Sequence, residues 1–275
     1  MNLTTKKTFY ILLFVCSTLV GFAQDTIHLK PYVSELKSVE VFINNKKYNF
    51  LFDAGGGETI ISPSIAKLLN KEIYGCSTGI RMDGEMIKYQ KADSVSIKIG
   101  ITEIFHQTIG VWDVMSILPK EFPKIDGVIS LKSFGNTILT IDLSNNILIV
   151  ENKASAKKQI ETKTILPSRF ANGTDGAELT VFIGLPKYDN MYWFLFDTGN
   201  IGPVILSPEC ATLWKLQSNN KESKPLTKLK FIIGKNNIEM NSYSKKIIYD
   251  GVLNFESISK YIFTIDFRKK EVWVN

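Results

Sequence analysis

The sequence predicts an all-β chain made of two duplicated lobes related by a pseudo-two-fold axis, with short helices between strands. Three observations predict it. The hexapeptide Phe50-Leu51-Phe52-Asp53-Ala54-Gly55 returns with one change as Phe194-Leu195-Phe196-Asp197-Thr198-Gly199. Asp126 to Val150 aligns without a gap on Asp250 to Val274, 25 positions of which nine are identical, Asp126/Asp250, Gly127/Gly251 and Thr140/Thr264 among them. Ser62-Pro63 and Ser207-Pro208 stand at matching places, with one extra residue in the second half. Self-similarity on this scale decides architecture before any single element does. Duplicated lobes pack as symmetric dimers do, so equivalent residues face each other across the axis.

The bulk composition bounds the rest. A chain of 275 residues suits one large domain or two lobes. Lys6 and Lys7, an apolar run from Phe9 to Phe22 and the small residues around Gly21 and Ala23 have the layout of a secretory leader. Cleavage is expected after Ala23; Val15 before Cys16 fits a lipoprotein signal poorly. The run is short for a transmembrane helix, and no other segment is apolar enough to span. Loss of residues 1–23 takes two lysines and no acid, so the formal charge of +6 becomes +4. The basic residues are scattered, which argues against nucleic acid as a partner. The remaining cysteines, Cys76 and Cys210, permit one disulfide and read more simply as free, partly buried thiols. His28 and His106 are the only histidines, and no spacing resembles a metal site, so no cofactor or metal is expected.

Residues 24–35 read as an entry segment with room for a first strand. Val39 to Ile43 and Tyr48 to Phe52 alternate around Asn44-Asn45, a hairpin signal, and the second arm runs into Asp53. Gly55-Gly56-Gly57 follows. Ile60-Ile61 is a short strand, Ser62 an N-cap and Pro63 the first helical residue before Ile65 to Leu69. Asp83-Gly84 marks the tip of a hairpin in residues 72–92. Strands are expected at Val95 to Gly100, Phe105 to Val114, Ile138 to Asp142 and Ile147 to Val150, with a loop at 115–124. The polar stretch 152–163 reads as a solvated linker between lobes 24–151 and 164–275. The second half repeats the order. Strands are expected at Leu179 to Ile183, Tyr192 to Phe196 and Val204 to Leu206, then a helix from Ser207-Pro208, then a hairpin over residues 234–237.

Asp53 and Asp197 each end a run of large apolar residues, where a lone carboxylate is costly to bury. Two such acids in matching contexts would meet across the axis. Carboxylates about 3 Å apart cannot both ionise; they share a proton and offer an acid and a base in one place. At these residues the chain resembles the aspartic proteases, in particular the bacterial retropepsin-like type with two lobes in one polypeptide. The resemblance rests on a hydrophobic strand entering Asp-Thr/Ser-Gly, complete at Asp197-Thr198-Gly199 and nearly so at Asp53-Ala54-Gly55. Thr59 and the later segments Asp126-Gly127-Val128-Ile129 and Asp250-Gly251-Val252-Leu253 add to it.

That resemblance implies acid-protease-like β-barrel lobes, a catalytic dyad of Asp53 and Asp197, and active-site loops supported by Ala54, Gly55, Thr198 and Gly199. It also implies a flap around Arg81, Met82, Asp83 and Gly84, inside residues 77–89. The expected activity is a secreted or periplasmic aspartic endopeptidase, acting on peptide or protein substrate as a monomer. The alternative is a catalytically impaired peptide-binding module, motivated by departures from the pattern. Ala54 lacks the hydroxyl that would bond across to the other lobe, and Ser130 and Asn254 replace the usual glycines, which puts side chains where the backbone behind the active-site loops is expected to need close approach.

Overall fold

The computed structural model describes residues 24–173, 175–216, 224–225 and 227–275. The expected leader lies outside them, as does most of the lysine-rich loop after Leu216. The chain is all-β with short helices, arranged as two lobes about a shared sheet.

That shared sheet locates the axis. Strand Ile138–Asp142 pairs antiparallel with Phe263–Asp266, and Thr140 falls opposite Thr264, its own counterpart in the 25-residue repeat. Each is flanked by its repeat partner, Ile147–Glu151 on one side and Glu271–Val274 on the other. Thr164–Leu166 closes one edge, and on the other side Asp25–Pro31 carries the sheet on into Lys37–Ile43. The hydroxyls of Thr140 and Thr264 lie 2.9 Å apart on the axis. Glu151 accepts from Thr140 at 2.7 Å, while Lys163 donates to Thr264 at 2.7 Å.

Each lobe then repeats one motif. In the first, Lys37–Ile43 and Lys46–Phe52 form a hairpin; Asn44 and Asn45 both have positive φ, as the two-residue turn requires. Lys46–Phe52 pairs parallel with Gly127–Ile129, placing Phe50 opposite Gly127. In the second, Asn190–Leu195 pairs parallel with Gly251–Val252, placing Phe194 opposite Gly251. The identical register explains the conserved spacing of the two halves. A Cβ on Gly127 would sit 2.2 Å from Ile60 O, and one on Gly251 would sit 2.2 Å from the Phe194 ring. The acid before each glycine ties the same strands together: Asp126 accepts from Asn49 N–H at 3.1 Å and Asp250 from Trp193 N–H at 2.7 Å.

Both expected proline-initiated helices form, as Pro63–Leu68 and Pro208–Leu213, with Ser62 and Ser207 accepting from backbone N–H groups as caps. One apolar core runs through both lobes and includes Phe50, Phe52, Phe194 and Phe196. Burying each such ring stabilises the fold by about 1.5–3 kcal/mol.

Several expectations are corrected. Residues 152–163 hold a helix, Lys153–Ile160, rather than a loop. Asn152 and Ser155 make a capping box that overrides the polar composition, with Asn152 Oδ1 accepting from Ala154 and Ser155 N–H at 3.0 and 2.9 Å. The break expected before Val95 is absent: Met86–Ile99 is one long strand that keeps a single register against Thr102–Val111 on both sides of Ser94, although Ser94 has a φ of 57. Its partner is Thr102–Val111, and Val114 opens a short 3-10 turn. The turn at 234–237 is tighter than expected, since Asn236 already belongs to the strand Asn236–Met240. Cys76 is exposed and Cys210 buried, both as free thiols.

Candidate active site

Asp53 follows strand Lys46–Phe52, and its N–H donates to Ile129 O at 3.0 Å. Asp197 follows Asn190–Leu195; just before it, Phe196 N–H donates to Val181 O at 2.9 Å. The two strands converge on the axis from opposite lobes and bring the carboxyls of Asp53 and Asp197 together: a Cβ built on Gly199 would lie 2.9 Å from Asp53 Oδ1 and 3.1 Å from Asp197 Oδ1. Asp197 is buried and Asp53 partly so.

The loops after the acids are mirror copies. Gly55 N–H donates to Asp53 Oδ1 at 2.9 Å, and Gly199 N–H donates to Asp197 Oδ1 at 2.8 Å. Neither glycine can carry a side chain. A Cβ on Gly55 would lie 2.4 Å from Asp197 Cγ, and one on Gly199 would lie 2.9 Å from Asp53 Oδ1. Each glycine therefore sets the approach of the opposite lobe's acid. Burial raises the Asp197 carboxyl well above its ordinary value, and the Asp53 charge raises it further, against the N–H groups of Gly199 and Asn200. Asp53 is also raised by burial, opposed by the N–H groups of Gly55, Gly56 and Gly199 and by the bond to Asp197. The pair holds a proton where isolated carboxyls would have lost theirs.

The cross-lobe contact is one-sided. Ala54 N–H donates to Thr198 Oγ1 at 2.9 Å over a buried path. Ala54 is fully buried, and its methyl side chain offers no hydroxyl for a return bond. Ser130 and Asn254, expected to crowd the loops, instead brace them. Ser130 Oγ donates to Gly57 O at 3.1 Å and also meets Thr59 Oγ1, which continues to Ser133 and on to His106. Burial, and then the Lys132 charge, pull the His106 pKa down to about 4, so the ring is neutral at physiological pH. Asn254 Nδ2 donates to Gly202 O at 2.7 Å, while its Oδ1 caps the helix Phe255–Ser259 at Ser257 N–H, 3.0 Å.

The hairpin of Tyr74–Ile80 and Met86–Ile99 reaches across to the second lobe. Ile248 N–H donates to Met82 O at 2.9 Å, and Lys245 stands 3.5 Å from Asp83. Met82 packs against the second-lobe cluster of Leu195, Ile247 and Val252. Arg81 faces outward in a pair with Glu85 at 3.3 Å, and Gly84 supplies the positive φ of the turn. Sequence reasoning missed three residues near the dyad: Glu58, Tyr89 and Glu178. Glu58 was legible as an acid two residues before the short apolar strand Ile60-Ile61; nothing in the sequence pointed to the other two.

Two cavities open elsewhere. One of about 820 Å³ lies between His106, Lys132 and the second-lobe segment Asp175 to Ala177. One of about 720 Å³ is lined by Phe182, Tyr249 and Trp193, with Arg169 stacked 3.9 Å over the Trp193 ring. Neither is lined by the dyad. Among the described residues, no group of three or more His, Cys, Asp or Glu side chains is placed to hold a metal ion.

No protein-family model and no curated protein matches the chain. Solved structures do. Conglutin gamma, a basic 7S globulin from lupine seeds, is similar with a TM-score of 0.58 at 8% identity, over 92% of this chain and 94% of its own. Basic 7S globulin from soybean is similar with a TM-score of 0.56 at 8% identity, over the same shares. Both globulins have a pepsin-like, aspartic-protease-like fold. At this identity the likeness carries the fold alone.

Proposed function

We propose that the chain is a secreted aspartic endopeptidase, with Asp53 and Asp197 as its catalytic dyad. The observation that carries this reading is the placing together of two carboxyls in mirrored glycine loops, both raised by burial. In such a pair the ionised carboxyl takes a proton from a bound water. The water oxygen bonds to the peptide carbonyl carbon, and the other carboxyl gives its proton to the carbonyl oxygen. Collapse of the gem-diol then breaks the C–N bond, with the proton passing to the leaving amine. The amides of Gly55, Gly56, Gly199 and Asn200 hold the carboxyls in place throughout. The hairpin tip on the second lobe would cover a peptide lying across the dyad.

Asp53→Asn and Asp197→Asn test this with an unfolded protein substrate assayed from acid to neutral pH. Loss of cleavage in both is expected; full activity in either refutes the dyad. A second reading, a peptide-binding module without turnover, draws on Ala54 and on two structurally similar proteins being basic 7S globulins. A peptide mimic carrying a transition-state hydroxyl separates the two. A catalytic dyad gains thermal stability from that hydroxyl beyond its value for the plain peptide, whereas a mere groove does not.

A further inference from the structure

The hairpin meets the second lobe at another point, nearer its base. Tyr89, on strand Met86–Ile99, is buried, and its hydroxyl lies 2.6 Å from Glu58 Oε2 and 3.2 Å from Glu178 Oε1. Glu58 belongs to the loop that follows Asp53. Glu178 precedes the second-lobe strand Leu179–Lys187, and Leu179 N–H donates to Gly57 O at 3.0 Å. Three oxygens in a row therefore join hairpin, dyad loop and opposite lobe.

Two full hydrogen bonds among three oxygens use two protons, since a single Tyr89 proton would otherwise be split between the two glutamates. Tyr89 brings one, so the other must sit on a carboxyl. Glu58 is the better place. It is only 3% exposed, and its second oxygen, Oε1, is buried without a hydrogen-bond partner. An ionised carboxylate there would face one donor and an empty side. Burial raises its pKa, against the Tyr89 hydrogen bond and the Lys91 charge, while Asp175 and Glu178 raise it further. Lys91 comes from the same strand as Tyr89 and is already paired with Asp175. Gly110, on the strand beside them, presents no side chain to Glu58. Tyr249, beyond Glu178, senses both Glu178 and Asp197 and is held in its neutral form, chiefly by burial.

We infer that Glu58, Tyr89 and Glu178 form a one-proton clasp that holds the hairpin against the second lobe. With Glu58 protonated, it donates to Tyr89 Oη and Tyr89 donates to Glu178. With both glutamates ionised, Tyr89 can serve only one, and the two negative charges repel across it. The clasp tightens in acid and loosens as pH rises. Its value to catalysis, as a set of positioning residues, rests on the peptidase reading; its existence does not.

Hydrogen–deuterium exchange of the full chain tests it. Protection of peptides covering residues 74–90 is followed from acid to mildly alkaline pH and corrected for intrinsic exchange. In the wild type, protection should fall roughly 3- to 10-fold in one step, the equivalent of a net hydrogen bond. Glu58→Gln keeps a donor toward Tyr89 at every pH, so its hairpin should stay at the acid level throughout. Tyr89→Phe should sit at the low level throughout. Asp197→Asn, in which cleavage should be lost, should keep the step. A flat wild-type profile, a titrating Glu58→Gln hairpin, or loss of the step in Asp197→Asn would each overturn the clasp. Cleavage is never read, so an inactive protein leaves this test intact.

Discussion

Thr198→Val tests the cross-lobe lock with the least change of shape. The substitution replaces a hydroxyl by a methyl at a site 2% exposed, so packing is nearly conserved. It removes the acceptor of the 2.9 Å bond from Ala54 N–H, whose residue is 0% exposed and which has no water to turn to. Leaving a buried donor unmade costs about 1–3 kcal/mol, more than the net worth of the bond itself. For a chain of this size about 1 kcal/mol moves Tm by roughly 2–4 °C, so the expected drop is roughly 2–12 °C. Thermal unfolding followed by circular dichroism reads it, and Thr198→Ser, which keeps the oxygen, should recover most of the loss. Because the Ala54 side chain provides no return bond, this contact is, among the described residues, the one hydroxyl-mediated bond between the two dyad loops. An unchanged Tm in Thr198→Val would refute that account, as would a Thr198→Ser variant no better than Val.

Three further outcomes follow from the geometry. Asp197 holds its proton above the ordinary 3.8, so the folded state binds that proton more tightly than the unfolded state. The associated stability is full below 3.8 and is lost as pH rises through the raised value; urea midpoints across pH 3–8 should decline less in Asp197→Asn than in the wild type, and equal slopes would contradict it. Gly127→Ala drives a methyl to 2.2 Å from Ile60 O and 2.4 Å from the Phe50 ring, and should destabilise by about 3 kcal/mol or more, read as lost soluble expression or an early melt. Asn254→Ala removes both the brace on Gly202 and the helix cap, and a loss of about 1–2 kcal/mol in denaturant titration is expected; a neutral result would mean the side chain is not a brace.

The fold was legible because duplication carries long-range information that a single copy lacks. Two strands ending in acids, read once, are two strand ends. Read with the gapless 25-residue repeat, they fix a pairing about an axis, and the register of Thr140 on Thr264 follows that repeat. The proline helices were legible for a local reason: a serine cap and a proline at the first helical position act within one turn. The helix at Lys153–Ile160 was obscured by its charged composition, although the Asn152–Ser155 cap was present in the sequence. Ser130 and Asn254 misled because substitution of a small residue suggests crowding, whereas polar atoms in those side chains found backbone partners.

By itself, then, the sequence determined the two-lobed β architecture and the identity of the paired acids, since hydrophobic patterning and internal repetition are written along the chain. Only the tertiary structure decided how those acids are held. It placed Gly55 against Asp197 and Gly199 against Asp53, left the lock with Thr198 alone, and brought Glu58, Tyr89 and Glu178 together. Those contacts join residues as far apart as 54 and 198, and no local pattern encodes a hydrogen bond between them. Their strength depends on exclusion of water, which exists only once both lobes have closed on the axis.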